Sequence, residues 1–248
     1  MQEFLMPVPS IFASPSRSLA SIAAAGLLIV ATSCTQAAPP VGANSDDPNA
    51  NPNYNGLPLD SEIVEIRTRP GEEVVTLAGG CFWCTEAVFE RMEGVNDVVS
   101  GYIGGKVKRP NYDQVCGKMT GHAEAVQIYY DPTKTNFEEL LKVFFKTHDP
   151  TTLNRQGADG GPQYRSSIFV HNEEQREIAK KTIEKLGEEY RDPIVTLIEP
   201  ATKFYVAEEF HQDYYRRNPN AGYCQAVVAN KVRKFNREFG DKIKGSAK

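Results

Sequence analysis

The residues best suited to chemistry are two cysteines in the run Gly79-Gly80-Cys81-Phe82-Trp83-Cys84. An apolar, strand-like segment precedes this run and a helical pattern follows it, so a glycine turn is expected to place Cys81 at a helix N-terminus. The unpaired backbone N–H groups and the helix dipole favour an anion there. We therefore expect a lowered pKa for the Cys81 thiol, beside an apolar wall formed by Phe82 and Trp83, the only tryptophan of the chain.

Two other chemistries are compatible with these cysteines. The spacing of Cys81 and Cys84 matches that of redox-active Cys-x-x-Cys pairs, although such pairs usually enclose compact residues rather than Phe82-Trp83. A zinc site is the second alternative, because the chain has five cysteines and four histidines. A structural zinc site usually shows a second closely spaced Cys or His pair, which the sequence lacks. The sequence therefore predicts no bound metal.

The first 34 residues have the pattern of an export signal. An apolar run from Leu19 to Thr32 is too short to span a bilayer comfortably, and small residues follow it. The segment Ala31-Thr32-Ser33-Cys34 resembles a bacterial lipobox, which makes Cys34 a candidate for lipidation and membrane tethering. Ordinary cleavage near Ala37 or Ala38 is the alternative. Both predict an exported protein, either periplasmic or anchored as a lipoprotein.

The rest of the chain divides into a linker and one domain. Residues 35–70 are rich in Pro, Asn and Asp, so they cannot bury enough apolar surface to fold and are expected to be disordered. Residues 71–248 are long enough for one domain with its own core, which we expect to be monomeric. A formal net charge of −4 gives no electrostatic reason to expect nucleic acid as a partner.

The domain alternates between strand and helix patterns without the strict order of a doubly wound fold. Strands are predicted at 74–78, 95–102, 123–130, 166–170 and 194–198. Helices are predicted after Cys81 and at 137–147, 173–189 and 227–239, with a short helix within 204–216. A long loop at 148–162 suggests a function. Because two neighbouring strands lack room for a helical crossover, we predict an α+β fold, a mixed sheet with packed helices and a ferredoxin-like two-layer core.

The Cys81 motif resembles the Gly-Cys-Phe-Trp signature of the A-type methionine sulfoxide reductases, which reduce the S epimer of methionine sulfoxide. The resemblance runs from Val74 to Phe235, and its other blocks occur in the family's order: Val99–Gly105, Pro110–Tyr112, Thr120–Val126, His148–Thr151, Arg155–Asp159 and Gly161–Ser166. It implies an enzyme that acts on free or protein-bound methionine sulfoxide, has no bound cofactor, and is regenerated by a thioredoxin-like dithiol.

The resemblance assigns the attacking thiol to Cys81 and the proton donor to Glu124. A carboxyl group flanked by Ala123, Ala125 and Val126 would tend to stay protonated, as an acid must near neutral pH. The residues alone favour a different interpretation, in which Glu124 is the solvent-facing polar position of a strand. The family match reverses that preference.

The remaining site residues are also implied by the resemblance. Tyr112 and Tyr164 match tyrosines that hydrogen-bond the sulfoxide oxygen, and Asp159 lies in the matching loop that orders the site. Phe82 and Trp83 match the wall that holds the terminal methyl group of the substrate. His122 is expected to be structural.

A second thiol must reduce the sulfenic acid that the reaction leaves on Cys81. Cys224 matches the family's recycling cysteine and lies in a segment that looks like a mobile loop. Cys84 is the alternative, since Cys-x-x-Cys pairs can form a disulfide at a helix start. Cys116 is expected to be an inert thiol.

Overall fold

The computed structural model of the chain describes residues 68–246. The predicted export signal, Cys34 and nearly all of the linker lie outside the described residues. Within 68–246, no helix is both long enough and apolar enough to cross a membrane.

Within residues 68–246, eight strands form two sheets. They are β1 (Glu73–Gly79), β2 (Val95–Ile103), β3 (Ala123–Tyr130), β4 (Arg155–Gln156), β5 (Asp159–Gly160), β6 (Ser166–Val170), β7 (Leu197–Pro200) and β8 (Tyr205–Val206). Six of them make one sheet in the order β7-β6-β1-β3-β2-β8, and β4 and β5 form a separate ribbon. All neighbours in the large sheet are antiparallel except β6 and β7, which are parallel.

Six α-helices accompany the sheets in the described part of the chain. They are α1 (Phe82–Phe89), α2 (Tyr112–Cys116), α3 (Phe137–Thr147), α4 (Glu173–Gly187), α5 (Tyr214–Arg217) and α6 (Ala229–Glu238). Asn136 and Asn172 cap α3 and α4 by accepting hydrogen bonds from the backbone N–H groups of Glu139 and Gln175. These caps satisfy donors that the helices leave unpaired, which is why both helices begin where the sequence predicted.

The two faces of the sheet bury different side chains. The larger core contains residues from β1, β2, β3, β6 and helices α1, α3, α4 and α6. The smaller core on the opposite face is built from Ala78, Ile103, Ala123, Ala125, Phe169 and Phe204. Side chains alternate along a strand, so on β3 Glu124 shares the helix-covered face with Val126 and Ile128.

This architecture confirms the predicted α+β fold. The four main strands β6, β1, β3 and β2 lie side by side in the 4-1-3-2 order of a ferredoxin-like core. The differences lie at short elements. The strand predicted at 194–198 is Leu197–Pro200. The segment 204–216 contains strand β8, a 3₁₀ turn at Glu209–His211 and most of α5, which is the short helix predicted there. Such short pieces take their conformation from tertiary contacts rather than from a local pattern.

Gly101 allows the edge strand β8 to approach β2. A Cβ atom at this position would lie 2.4 Å from both the Phe204 ring and the Tyr205 carbonyl oxygen. We expect Gly101→Ala to lower the free energy of unfolding by about 1–3 kcal/mol, because the backbone oxygen cannot move aside cheaply. Urea denaturation followed by circular dichroism measures this change.

The matched control is Gly187→Ala at the end of α4, where a Cβ atom would meet nothing within 4 Å. Alanine is the better helix former, so this variant should be as stable as the wild type or slightly more stable. Equal losses of stability in the two variants would contradict the proposed clash.

Candidate active site

A glycine turn delivers Cys81 to the start of α1. Strand β1 ends at Gly79, and Gly80 follows with a φ of +96°. A Cβ atom at Gly80 would also lie 2.5 Å from Cγ of Gln156, so the turn needs glycine for both its conformation and its space. Cys81 is the N-cap of α1 and is 2% exposed, at the helix terminus that the sequence predicted.

Cys81 and Cys84 form a buried pair. The backbone N–H of Cys84 donates to the Cys81 carbonyl oxygen over 3.1 Å, and the two side chains are hydrogen-bonded to each other. Burial raises the pKa of the Cys81 thiol well above its usual value. The hydrogen bond from Cys81 lowers the pKa of Cys84 to about 7. The predicted lowering of the Cys81 pKa is therefore wrong for the free enzyme, because desolvation outweighs the helix terminus.

Glu124 holds the beginning of α1. Its Oε2 atom accepts a hydrogen bond from the Phe82 backbone N–H over 3.1 Å. The residue is 1% exposed, so the solvent-facing interpretation is wrong. Burial raises the pKa of Glu124 well above its usual value, in the direction that the sequence predicted. A protonated carboxyl group thus adjoins the Cys81 turn.

The structure brings the other predicted site residues into the same buried region. Tyr112 is the first residue of α2, and burial followed by the charges of Glu124 and Cys81 raises its pKa. Asp159 is buried on β5, and its charge acts on both Cys81 and Glu124. Tyr164 ends a 3₁₀ turn and is buried in the core that contains Cys81.

The aromatic wall is more extensive than the sequence indicated. Phe82 and Trp83 are both buried. The Trp83 ring stacks on Tyr214 with centroids 3.7 Å apart and an interplanar angle of 10°, and it meets Tyr223 edge-on at 5.8 Å. Neither tyrosine was singled out from the sequence, because nothing in its local pattern distinguishes it from a packing residue.

His211 is the second residue that sequence reasoning missed. Its Nδ1 accepts the Trp83 indole N–H over 3.2 Å, so the imidazole is neutral with its proton on Nε2. Burial lowers the His211 pKa to about 3, which agrees with that state. The ring also lies 4.3 Å from the Tyr112 ring and 5.1 Å from the Phe82 ring. In the sequence, His211 is only one of four histidines that could be zinc ligands, and no motif distinguishes it.

Glu208 connects this aromatic wall to α2. Its Oε1 atom accepts from the Tyr112 backbone N–H over 2.8 Å, and its Oε2 atom accepts from the Tyr102 hydroxyl over 2.8 Å. The His211 Nε2 atom lies 3.9 Å from Glu208 Oε2, and among the described residues it has no hydrogen-bond partner. Glu208 and His211 are thus positioning residues that hold Tyr112 and Trp83 around one space.

Cys224 is not in a mobile loop, which corrects the sequence prediction. It is fully buried at the start of a π-helical turn, Cys224–Val228, that continues into α6. The preceding residue, Tyr223, donates from its hydroxyl to Asp159 Oδ2 over 2.6 Å. Burial, followed by the charge of Cys84, raises the Cys224 pKa to about 11.

Cys81, Cys84 and Cys224 are free thiols, and Cys116 ends α2 and packs against the core that contains them. Within residues 68–246, no group of three or more His, Cys, Asp or Glu side chains is arranged to hold a metal ion.

His122 links neighbouring loops: Nδ1 accepts from the Gly105 N–H over 3.1 Å, and Nε2 lies 2.8 Å from the Val107 carbonyl oxygen.

Glu86 joins α1 to two other elements. Its carboxylate oxygens accept from the Ser100 hydroxyl over 3.0 Å and from the Tyr214 backbone N–H over 3.3 Å. Burial, followed by the charge of Asp213, raises the Glu86 pKa from 4.5 to about 8. The folded protein therefore keeps a proton that the unfolded chain releases between these pH values.

The contribution of Glu86 to stability should consequently fall as the pH rises from 4.5 towards 8. We expect Glu86→Gln to remove part of this slope, which for one group is at most about 1.4 kcal/mol per pH unit. Urea unfolding at several pH values measures it, with the exposed Glu184→Gln as the control variant. An unchanged slope in Glu86→Gln would contradict the assignment.

The tryptophan emission tests the role of His211, because Trp83 is the only tryptophan. His211→Phe leaves the buried indole N–H without an acceptor, at a cost of about 1–3 kcal/mol. We expect red-shifted emission and easier acrylamide quenching in this variant. His211→Asn retains an acceptor oxygen and should stay closer to the wild type. Identical spectra for the two variants would contradict the positioning role.

Comparisons with known proteins point to one family. A sequence model of the peptide methionine sulfoxide reductases matches residues 73–243. A Rhodopirellula baltica protein named peptide methionine sulfoxide reductase MsrA 1 is 92% identical over 192 residues, which cover 77% of this chain and 100% of that protein. A Deinococcus radiodurans protein named MsrA is 55% identical over 77% of this chain and 96% of its own length.

Solved structures agree with the sequence matches. Mxr1 from Saccharomyces cerevisiae in reduced form has a TM-score of 0.58 and 38% identity, covering 64% of this chain and 92% of that one. Methionine sulfoxide reductase A of Corynebacterium diphtheriae has a TM-score of 0.57 and 36% identity, covering 64% and 80%. The described site and these matches together show that this chain belongs to the peptide methionine sulfoxide reductase family.

Proposed function

We propose that this protein reduces the S epimer of methionine sulfoxide, free or in proteins, to methionine by thiol chemistry without a bound cofactor. One observation gives this proposal its strongest support. A buried, protonated carboxyl group, Glu124, accepts a hydrogen bond from the residue that follows the nucleophile Cys81. Sulfoxide reduction needs this pair, because sulfur must be attacked while its oxygen takes up a proton.

In the first step the Cys81 sulfur attacks the sulfoxide sulfur. The Cys81 thiol loses its proton as it attacks, because burial keeps it neutral in the free enzyme. Glu124 and the Cys81 thiol supply the two protons with which the sulfoxide oxygen leaves as water, so the S–O bond breaks as an S–S bond to Cys81 forms. A water molecule then attacks the Cys81 sulfur and the S–S bond breaks, which releases methionine, leaves Cys81 as a sulfenic acid and returns a proton to Glu124. Cys81 thus supplies the two electrons.

The remaining side chains orient the substrate. Tyr112 and Tyr164 have hydroxyl groups that would hydrogen-bond the sulfoxide oxygen, and Asp159 orders the site. The methyl group would lie against Phe82 and Trp83, where burial of one methyl and part of a thioether is worth about 1 kcal/mol. Such a pocket recognises the end of the methionine sulfoxide side chain and does not distinguish the residues that flank it in a peptide.

Resolution requires a second thiol. Cys224 would attack the Cys81 sulfenic acid, release water and form a disulfide, which a thioredoxin-like dithiol then reduces. Cys224 is buried in the same core as Cys81, and the Tyr223–Asp159 hydrogen bond holds the residue that precedes it. Cys84 is the second candidate, favoured by its hydrogen bond to Cys81 and by a pKa of about 7.

We also propose that the protein is exported and works as a monomer, in the periplasm or tethered to a membrane through a lipidated Cys34. The apolar run at 19–32 and the lipobox-like segment before Cys34 support export. The linker at 35–70 would let the domain stand away from the membrane.

Disulfide mapping after one turnover tests the assignment of the thiols. The enzyme is mixed with one equivalent of methionine S-sulfoxide without reductant, then digested and analysed by mass spectrometry. We expect a Cys81–Cys224 disulfide in the wild type and in Cys84→Ser. In Cys224→Ser, we expect a Cys81 sulfenic acid that dimedone traps.

Activity assays with dithiothreitol complete this test. Cys81→Ser should be inactive, and Glu124→Gln should lower kcat by about 10²–10⁴-fold. A Cys81–Cys84 disulfide in the wild type would transfer the resolving role to Cys84. Insulin reduction that needs Cys84 but not Glu124 would instead indicate a general thiol–disulfide oxidoreductase.

A further inference from the structure

Two loops beside the candidate active site carry most of their charge as exposed cations. The first is residues 105–109, with Lys106, Lys108 and Arg109, and the second is residues 117–121, with Lys118. We call these four side chains the basic rim. The only carboxylate between Gly105 and Gly121 is Asp113, whereas the whole chain has a formal net charge of −4. The rim is therefore positive on a protein that is negative overall.

Hydrogen bonds join the two loops into one surface. The Lys106 backbone N–H donates to the Thr120 carbonyl oxygen over 2.9 Å. The ring of His122 bridges them again through Gly105 N–H and the Val107 carbonyl oxygen. The rim thus has a fixed position relative to the strand and helix that follow the two loops.

Those elements begin with the site residues. The first loop leads through Pro110 and Asn111 directly to Tyr112, and the second leads through His122 and Ala123 directly to Glu124. Tyr112 and Glu124 interact with each other electrostatically and both act on the buried region of Cys81. The cations therefore lie along the chain within a few residues of the proton donor and the oxygen-binding tyrosine.

The backbone holds two of these cations in an unfavourable conformation. Arg109 has a φ of +50° and Lys118 has a φ of +64°, a region that glycine occupies more readily. Strained backbone conformations are concentrated at functional sites, so a long cationic side chain held in this region indicates a function. Two exposed apolar side chains also lie on these loops, Val107 and Met119, and Met119 is 89% exposed.

The three lysines of the basic rim form no ion pair within the described domain. Lys106, Lys108 and Lys118 are exposed, and within residues 68–246 no carboxylate forms an ion pair with any of them. By contrast, the exposed Lys180 pairs with Glu177 on its own helix. The charge of the three rim lysines is therefore available to a partner.

We propose that the basic rim binds aspartate and glutamate residues that flank a methionine sulfoxide in polypeptide substrates. This inference rests on the proposed reductase function and adds a substrate class to it. The apolar pocket recognises only the oxidised side chain, so the rim is what distinguishes one sequence context from another. Complementary charge near the catalytic groups raises the fraction of the enzyme that has an acidic segment bound, and salt screens this attraction.

The test compares three substrates with dithiothreitol as the reductant. Two are short peptides with a central methionine S-sulfoxide, flanked on both sides by two aspartates or by two serines. The third is N-acetylmethionine S-sulfoxide, which is too short to reach the rim and reports on the catalytic centre alone. The rim variant is Lys106→Glu/Lys108→Glu/Lys118→Glu. The matched control, Lys180→Glu/Lys181→Glu/Lys185→Glu, makes the same change of charge on α4.

We expect the rim variant to raise KM for the aspartate peptide about tenfold at low ionic strength, with kcat nearly unchanged. The difference should shrink towards twofold in 0.5 M salt, as screening shortens to about 4 Å. The control variant should keep the wild-type KM for the aspartate peptide, and the serine peptide should respond weakly to either change.

Failure of this proposal is distinguishable from failure of the proposed function. If the wild type does not turn over N-acetylmethionine S-sulfoxide, the reductase function itself is wrong. If it does, and both triple variants have the same KM for the aspartate peptide, the rim does not select acidic substrates. A rim variant that changes only the KM for thioredoxin, with the serine peptide as substrate, would assign the rim to the reductant and overturn the proposal.

Discussion

The hydrogen bond between the Phe82 backbone N–H and Glu124 is the contact on which the site depends. It joins the first turn of α1 to the central strand β3, and so it places Cys81 and Glu124 in one buried space. The same burial that excludes water from this contact keeps Glu124 protonated and Cys81 neutral. A more exposed site would have an ionised carboxylate there, which could not donate a proton.

A second set of contacts shapes the space in front of these two groups. Trp83 is held from three sides, by stacking on Tyr214, by the edge of Tyr223 and by its hydrogen bond to His211. Glu208 accepts hydrogen bonds from the Tyr112 backbone N–H at the start of α2 and from the Tyr102 hydroxyl. Most of these partners come from residues 205–223, so the C-terminal part of the chain closes a site whose reacting groups come from β3 and α1.

This arrangement connects resolution of the sulfenic acid to the shape of the site. Tyr223 packs on Trp83, donates to Asp159 and directly precedes Cys224. Any movement of Cys224 towards Cys81 that shifts Tyr223 therefore disturbs the aromatic wall at Trp83 and the loop of Asp159 together. Under the proposed mechanism, the departure of methionine and the approach of the second thiol would be mechanically coupled, because both involve Tyr223.

The sequence by itself determined the parts of the protein that depend on local pattern. The strand at 123–130, the capped helix at 137–147, the glycine turn before Cys81 and the α+β class all follow from side-chain periodicity and capping residues. The motif order also identified Cys81 and Glu124 as candidates. Only the tertiary structure decided the ionisation of Cys81, the burial of Cys224 and the roles of His211 and Glu208. These properties depend on desolvation and on contacts between residues up to 128 positions apart, such as Trp83 and His211, which no local pattern contains.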